Sequence, residues 1–345
     1  MINTNNLNIE SRCLLSSPGK IRSELPLSLD AALHVAKSRE EIQNILDGKS
    51  KKFLMIVGPC SIHDGDYALE YAKKLKQLSD KVKDKIYIVM RAYFEKPRTT
   101  IGWKGLINDP DINGSYNIDK GLFMARNLLL QITDIGLPTA TEMLDPIISQ
   151  YVADIVSWAA IGARTTEAQT HRQLGSGLSM PVGFKNATDG NFQTAIDAIG
   201  AAKSQHSFIG IMEDGHVGVF RTKGNNYAHI VLRGGNNKPN YEAEYIAFLK
   251  VALQKAGLKP MIIVDCSHAN SKKNHTLQGK VMHDVINQVI AGETAIKGLM
   301  LESYLKAGNQ PLKIGNPVAP DISITDACIS FEETENLILE AYEKL

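Results

Sequence analysis

The chain has 345 residues, 43% of them hydrophobic and 22% charged, enough for one large α/β barrel or two medium domains. Its 38 Lys and Arg nearly balance 37 Asp and Glu, so no overall field draws in nucleic acid or an acidic membrane. Any anion site must therefore be built locally.

Residues 1 to about 45 are predicted to form an N-terminal arm with one short helix. The first thirty residues are polar (Asn3, Asn5, Asn6, Glu10, Arg12) and lack the apolar stretch of a signal peptide. From residue 46 onward the pattern alternates. Short β-rich runs fall at 51–60, 85–94, 136–143, 155–164, 180–186, 229–235, 259–269 and 296–304, with helix-period segments such as GDYALEYAKKLKQLSDKV between them. Eight strands alternating with helices predict a parallel sheet closed as a (β/α)8 TIM barrel spanning 46–345; a doubly wound open sheet is the alternative. Residues 206–228 do not fit the repeat and read as an inserted β-hairpin turning near Asp214-Gly215. A barrel needs neither the arm nor the hairpin, so both are candidates for subunit contacts or regulation. No run approaches the roughly 18 apolar residues of a membrane span. Four scattered cysteines (Cys13, Cys60, Cys266, Cys328) with no CxxC pair suit a reducing cytosol, so a cytoplasmic protein is expected.

Each predicted strand ends in a reactive or charged residue: Cys60, Arg91 followed by Lys96, Glu142, Arg164, Lys185, Arg233, His268 and Glu302. Strands often end in polar residues simply because they emerge into water. Eight in succession on the rim where barrel active sites form point instead to one shared site. Arg91, Lys96, Arg98, Arg164, Lys185 and Arg233 make that rim cationic, which suits substrates with two or more anionic groups. Salt bridges to Glu95, Glu142 or Asp145 would account for one or two of these cations. Cys60, His268 and Glu302, with Asp326 beyond them, form a donor set suited to a borderline divalent ion. Taken singly, Cys60 reads more readily as a buried small hydrophobe and His268 as a hydrogen-bonded core residue, so the residues alone leave the metal open. Residues 96–110 form a long loop after the second strand, and its Arg98, Thr99 and Thr100 could cradle a phosphate.

The motifs GPCSIHD (58–64), MRAYFEKPRTTIGWKGLINDP (90–110), IGARTTEAQTHR (161–172), PVGFKNATDG (181–190), LRGG (232–235), DCSHANS (265–271) and ITDACIS (324–330) resemble those of the class I (type Iα) 3-deoxy-D-arabino-heptulosonate 7-phosphate synthases. The likeness runs from about residue 20 to the end. It implies that Cys60, His268, Glu302 and Asp326 hold a divalent metal (Mn, Fe(II), Co or Zn). It implies that Arg91, Lys96, Ala163, Arg164, Lys185 and Arg233 bind phosphoenolpyruvate, with Glu142 beside them ordering a water. Lys96, Pro97, Arg98 and Thr99 would bind erythrose 4-phosphate, and Lys96, Lys185 and His268 would be catalytic, either lysine being a candidate proton donor. Cys328, two residues from Asp326, is expected to bridge to Cys60 on oxidation and eject the metal.

The resemblance also implies a homodimer or homotetramer and feedback inhibition by an aromatic amino acid, in a pocket lined by Gln150, Leu174, Leu178, Ser179, Phe208 and Gly210. Gly210 falls where phenylalanine-sensitive relatives tend to have Ser; the missing side chain leaves room for a phenol hydroxyl and favours tyrosine as the effector. Three rival readings are a synthase using the same enol phosphate with a five-carbon sugar, a Schiff-base aldolase acting through Lys185, and a silent sensor of phosphosugars or aromatic amino acids.

Overall fold

The computed structural model describes residues 2–236, 238–313 and 315–345. Eight parallel strands close into a barrel: β1 (Phe53–Gly58), β2 (Ile86–Arg91), β3 (Thr139–Glu142), β4 (Trp158–Ile161), β5 (Val182–Lys185), β8 (Ala228–Leu232), β9 (Ile262–Asp265) and β10 (Ile296–Glu302). The ring runs β1-β10-β9-β8-β5-β4-β3-β2, which excludes the open sheet. Between β5 and β8 the antiparallel pair β6 (Ser207–Ile211) and β7 (Val217–Arg221) forms the expected hairpin, with Gly215 at its turn in the left-handed region.

The barrel strands are shorter than the β-rich runs that announced them. They are buried almost throughout, as strands covered on both faces must be. Inward-facing residues alternate along each strand. Leu54, Ile56, Val89, Ala140, Trp158, Ala160, Val231, Ile263 and Met300 fill the interior as one cluster. Gly183 belongs to the same inward set, because a Cβ there would run into the Trp158 ring. The other face of each strand packs against the outer helices. The helix α3 (Gly65–Val82) shows the principle: Asp64 caps it by accepting from the Tyr67 N–H at 3.0 Å, and Ala68, Tyr71, Ala72, Leu75, Leu78 and Val82 form its buried stripe.

The arm differs from expectation. It carries two helices, α1 (Pro18–Glu24) and α2 (Leu29–Asp47), and the second is integral to the core. Ile42, Ile45 and Leu46 are buried in the interior cluster with Leu54, Trp158 and Met261, so the C-terminal half of α2 closes the barrel end opposite the strand tips. Arg39 fixes it there through the carbonyls of Ala153 and Val156 at 2.6 to 3.0 Å. The barrel bottom supplies an apolar surface that has to be covered, and this amphipathic helix covers it. No helix among the described residues is long and apolar enough to cross a membrane.

Candidate active site

Inward alternation that makes the core apolar below makes it charged above. The top inward positions are Arg91 on β2, Glu142 on β3, Lys185 on β5, Asp265 on β9 and Glu302 on β10, all buried and all at the last residue of their strands. Other residues expected at strand ends lie in the loops that follow: Cys60 two residues beyond β1, Lys96 five beyond β2, Arg164 three beyond β4, Arg233 one beyond β8 and His268 three beyond β9.

Three of the four proposed metal ligands converge. One donor atom from each of Cys60, Glu302 and Asp326 lies within 4.8 Å of the others, with the first two buried and Asp326 exposed on the mouth. His268 is adjacent but outside this triad. Its Nδ1 stands 2.9 Å from Asp265 Oδ2, at an angle unsuited to a hydrogen bond, and its backbone takes φ +56°. A soft sulfur, two carboxylates and an imidazole with an unsatisfied nitrogen fit a divalent transition-metal ion. Burial and the Glu302 charge push the Cys60 thiol up to about 11, while Lys96 Nζ, 3.0 Å from the sulfur, favours the thiolate. Burial alone would raise Glu302, but His268, Arg91 and Lys96 together hold its carboxyl below the usual range. The Cys60 N–H also points at Cys328 Sγ, 3.4 Å away, so the two cysteines are neighbours as expected.

The cations divide into two groups. Arg91 is locked: Nε donates to Pro59 O at 3.0 Å, and one terminal nitrogen donates to Cys60 O at 3.2 Å and Glu302 Oε1 at 2.9 Å. Lys185 donates to Asp265 Oδ2 at 2.8 Å. Their partners are therefore Glu302 and Asp265, in place of the Glu95, Glu142 or Asp145 suggested by the sequence. Held by a carboxylate, Lys185 is poorly placed to act as a free amine. Arg164 and Arg233 form no ion pair among the described residues; Arg164 is exposed, Arg233 half-buried, and burial together with the nearby Arg164 charge lowers Arg233. Two neighbouring guanidinium groups without a carboxylate are a ready anion site. Ala163 precedes Arg164 in the same turn, which Thr166 Oγ1 ties to the Gly162 and Lys185 carbonyls at 2.9 Å.

The 96–110 loop starts in this mouth, where Lys96 Nζ meets Cys60 Sγ, and is held together by its own hydrogen bonds. Lys96 N–H donates to Lys104 O at 2.8 Å, Arg98 Nε to Trp103 O at 2.8 Å, and the buried Trp103 donates to Asp109 O at 2.8 Å. Pro97 is half-buried, while Arg98 and Thr99 are exposed at the rim.

The residues proposed for effector binding lie elsewhere, at the corner joining the arm, the hairpin and α6 (Gln169–Gly177). Leu174 is buried in α6; Leu178 and Ser179 follow its end, where Ser176 Oγ meets Thr222 Oγ1 at 2.7 Å. Arg22 of α1 reaches both Gln150 O, at 2.6 Å, and Glu213 of the hairpin turn, at 2.9 Å. Phe208 stacks on Phe220, and that ring lies 3.0 Å from where a Gly210 Cβ would stand. The space left by Gly210 is thus taken by Phe220 in this conformation.

Residues 27–339 match the model of the DAHP synthetase I family. The chain belongs to that family. The Tyr-sensitive phospho-2-dehydro-3-deoxyheptonate aldolase of Escherichia coli (strain K12) is 48% identical over 342 residues, covering 99% of this chain and 96% of that one. The Phe-sensitive enzyme of the same strain is 52% identical over 324 residues, covering 94% and 92%. A solved phospho-2-dehydro-3-deoxyheptonate aldolase from Francisella tularensis SCHU S4 superposes with a TM-score of 0.95 at 46% identity, covering 98% of both chains.

Within this DAHP synthetase I mouth, sequence reasoning passed over Asp265, Ser267 and Tyr93. Ser267 Oγ donates to Glu302 Oε2 at 2.7 Å, and the Arg91 guanidinium lies 3.5 Å from the Tyr93 ring centre. Asp265 and Ser267 sit inside the DCSHANS motif, and Tyr93 inside MRAYFEK. Once the structure fixes one inward residue on a strand, counting every second position picks out Asp265 and Tyr93.

Proposed function

We propose that this chain condenses phosphoenolpyruvate with erythrose 4-phosphate and water, giving 3-deoxy-D-arabino-heptulosonate 7-phosphate and inorganic phosphate, the first step toward the aromatic amino acids. The observation carrying this reading is a single mouth that unites a Cys60–Glu302–Asp326 donor cluster with the uncompensated pair Arg164 and Arg233. Arg91, Lys96, Arg164, Lys185 and Arg233, with the Ala163 backbone, hold the carboxylate and phosphate of phosphoenolpyruvate. Lys96, Pro97, Arg98 and Thr99 hold the aldose phosphate at the rim. Carbon 3 of the enol attacks the aldehyde, water held by Glu142 adds at carbon 2, and phosphate leaves by C–O cleavage. Lys96 or Lys185 donates the proton to the new alkoxide. Cys60, Glu302 and Asp326, with His268 as fourth ligand, would hold a divalent cation, which would supply Lewis acidity toward the aldehyde. Holding both reactants between fixed cations accounts for most of the acceleration.

The aromatic-sensitive relatives support regulation by an aromatic amino acid, and we place its site at the arm–hairpin corner. Tyrosine is the effector we favour, with the Phe220 ring moving aside from Gly210 to admit it. On this reading the chain acts as a homodimer or homotetramer in the cytoplasm. Ile209, Val217 and Val219 on the outer face of the hairpin, and Leu7 and Leu14 on the arm, are mostly exposed, an apolar surface that a second copy would cover.

The test is phosphoenolpyruvate consumption with erythrose 4-phosphate, with and without a chelator, and with Tyr, Phe and Trp added separately. Activity that needs the four-carbon aldose and disappears with chelation supports the reading. Turnover of a five-carbon aldose phosphate alone, or full activity under chelation, would overturn it.

A further inference from the structure

Tyr93 lies two residues beyond β2 on the same inward alternation as Val89 and Arg91. Extending the β2–β3 register, in which Arg91 faces Ala140, sets Tyr93 level with Glu142. It is only 1% exposed, and its ring forms a shelf under the Arg91 guanidinium. Its hydroxyl is buried and has no hydrogen-bond partner among the described residues. Glu142 Oε1, tucked against Gly162 where a Cβ would collide with it, is unpartnered too.

A shelf for a guanidinium needs only an aromatic ring, and phenylalanine would supply it without an unsatisfied polar group in the core. An unmet buried hydroxyl is costly unless something else completes it. The charges that act most on this phenol are Arg91, Glu142, Asp265 and Glu302, all of them strand-end residues of the mouth. Arg91 and Lys185, the deepest cations, already neutralise Glu302 and Asp265, which leaves the phenol free to donate to an incoming oxyanion.

On the reading that this mouth binds phosphoenolpyruvate, we propose that Tyr93 is a substrate-binding residue. Its hydroxyl donates a hydrogen bond to the carboxylate of the three-carbon enol phosphate, while its ring keeps Arg91 flat for the same group. Tyr93→Phe keeps the shelf and removes the donor; Tyr93→Leu removes both.

The experiment measures phosphoenolpyruvate binding to the metal-loaded enzyme without aldose, together with KM for each substrate and the thermal midpoint. Tyr93→Phe should weaken phosphoenolpyruvate binding and raise its KM about tenfold, leave the aldose KM within about twofold, and melt at or above the wild-type temperature. Tyr93→Leu should weaken phosphoenolpyruvate binding further. Unchanged phosphoenolpyruvate binding by Tyr93→Phe overturns the proposal, whether kcat holds, as a packing role requires, or falls, as a hydroxyl serving only the attacking water would require. Wild-type protein that fails to bind phosphoenolpyruvate overturns the functional reading itself, before the tyrosine is in question.

Discussion

Lys96 Nζ stands 3.0 Å from Cys60 Sγ, so a residue assigned to both substrates touches a residue assigned to the metal. The ion site and the substrate site are one electrostatic unit. Replacing Cys60 with Ala should remove bound metal and lower turnover by on the order of 10³-fold, the equivalent of several kcal/mol of lost charge stabilisation. Metal content per chain and steady-state rate check this, with a melting curve to show that the barrel survives. Wild-type turnover in the variant would remove the metal assignment.

Asp265 serves Lys185 and His268 at once, at 2.8 and 2.9 Å. Burial alone would raise its carboxyl, but the Lys185 ammonium and then His268 hold it well below the ordinary carboxylate range. Asp265→Asn would leave the Lys185 charge buried without its partner, at a cost of about 3–5 kcal/mol. Turnover should fall about 10- to 100-fold as Lys185 loses the carboxylate that positions it. Denaturant unfolding and kcat measured on the same preparation test both parts.

The proximity of Cys60 to Cys328 predicts an oxidative off-switch. With metal absent, exposure to oxygen should join the two sulfurs, two electrons and two protons passing to the oxidant, and titratable thiols should drop from four to two. Saturating metal should slow this loss, and dithiothreitol should restore both thiols and activity. A thiol count that stays at four after prolonged exposure contradicts the prediction.

His229 gives the barrel an acid limit. Buried inside the barrel, its Nε2 accepts from Trp158 at 3.1 Å and its Nδ1 donates to Tyr227 O, which fixes it as the neutral ring; burial lowers its pKa to about 4. A histidine depressed in the folded state binds its proton more readily when unfolded. Its stabilising effect is complete above about pH 6.5 and is lost as pH falls toward 4. Unfolding free energy should drop by a few kcal/mol across that window. His229→Gln, which keeps an acceptor for Trp158, should flatten the dependence in urea titrations at pH 7 and 4.5.

Chain order and strand count were legible because helices such as α3 advertise a buried stripe and the β-rich runs recur between them. The cation-rich rim was legible because Arg and Lys stand at or just after strand ends. Asp265 and Tyr93 were harder to see. Strands buried on both faces have no hydropathy alternation, so nothing in a run such as KPMIIVDCSHA says which residues face the axis. The role of α2 was hidden for a related reason: an amphipathic helix reveals that it covers something, and only the closed sheet reveals that the something is the barrel bottom. That His268 stands beside and not within the Cys60 cluster was also hidden, since its left-handed backbone is a choice that side-chain identity does not announce.

Because Trp158 and its inward neighbours fill the barrel, and Ile42, Ile45 and Leu46 stopper its far end, the barrel is a cup and not a pipe. Everything that reacts must come and go over one lip. On the proposed assignment, a molecule gripped by Arg91 and Lys185 at the base would lie beneath one gripped by Arg98 and Thr99 at the brim, so loading would be last in, first out. The enol phosphate would then enter ahead of the sugar, and a sugar that arrived early would obstruct its own partner.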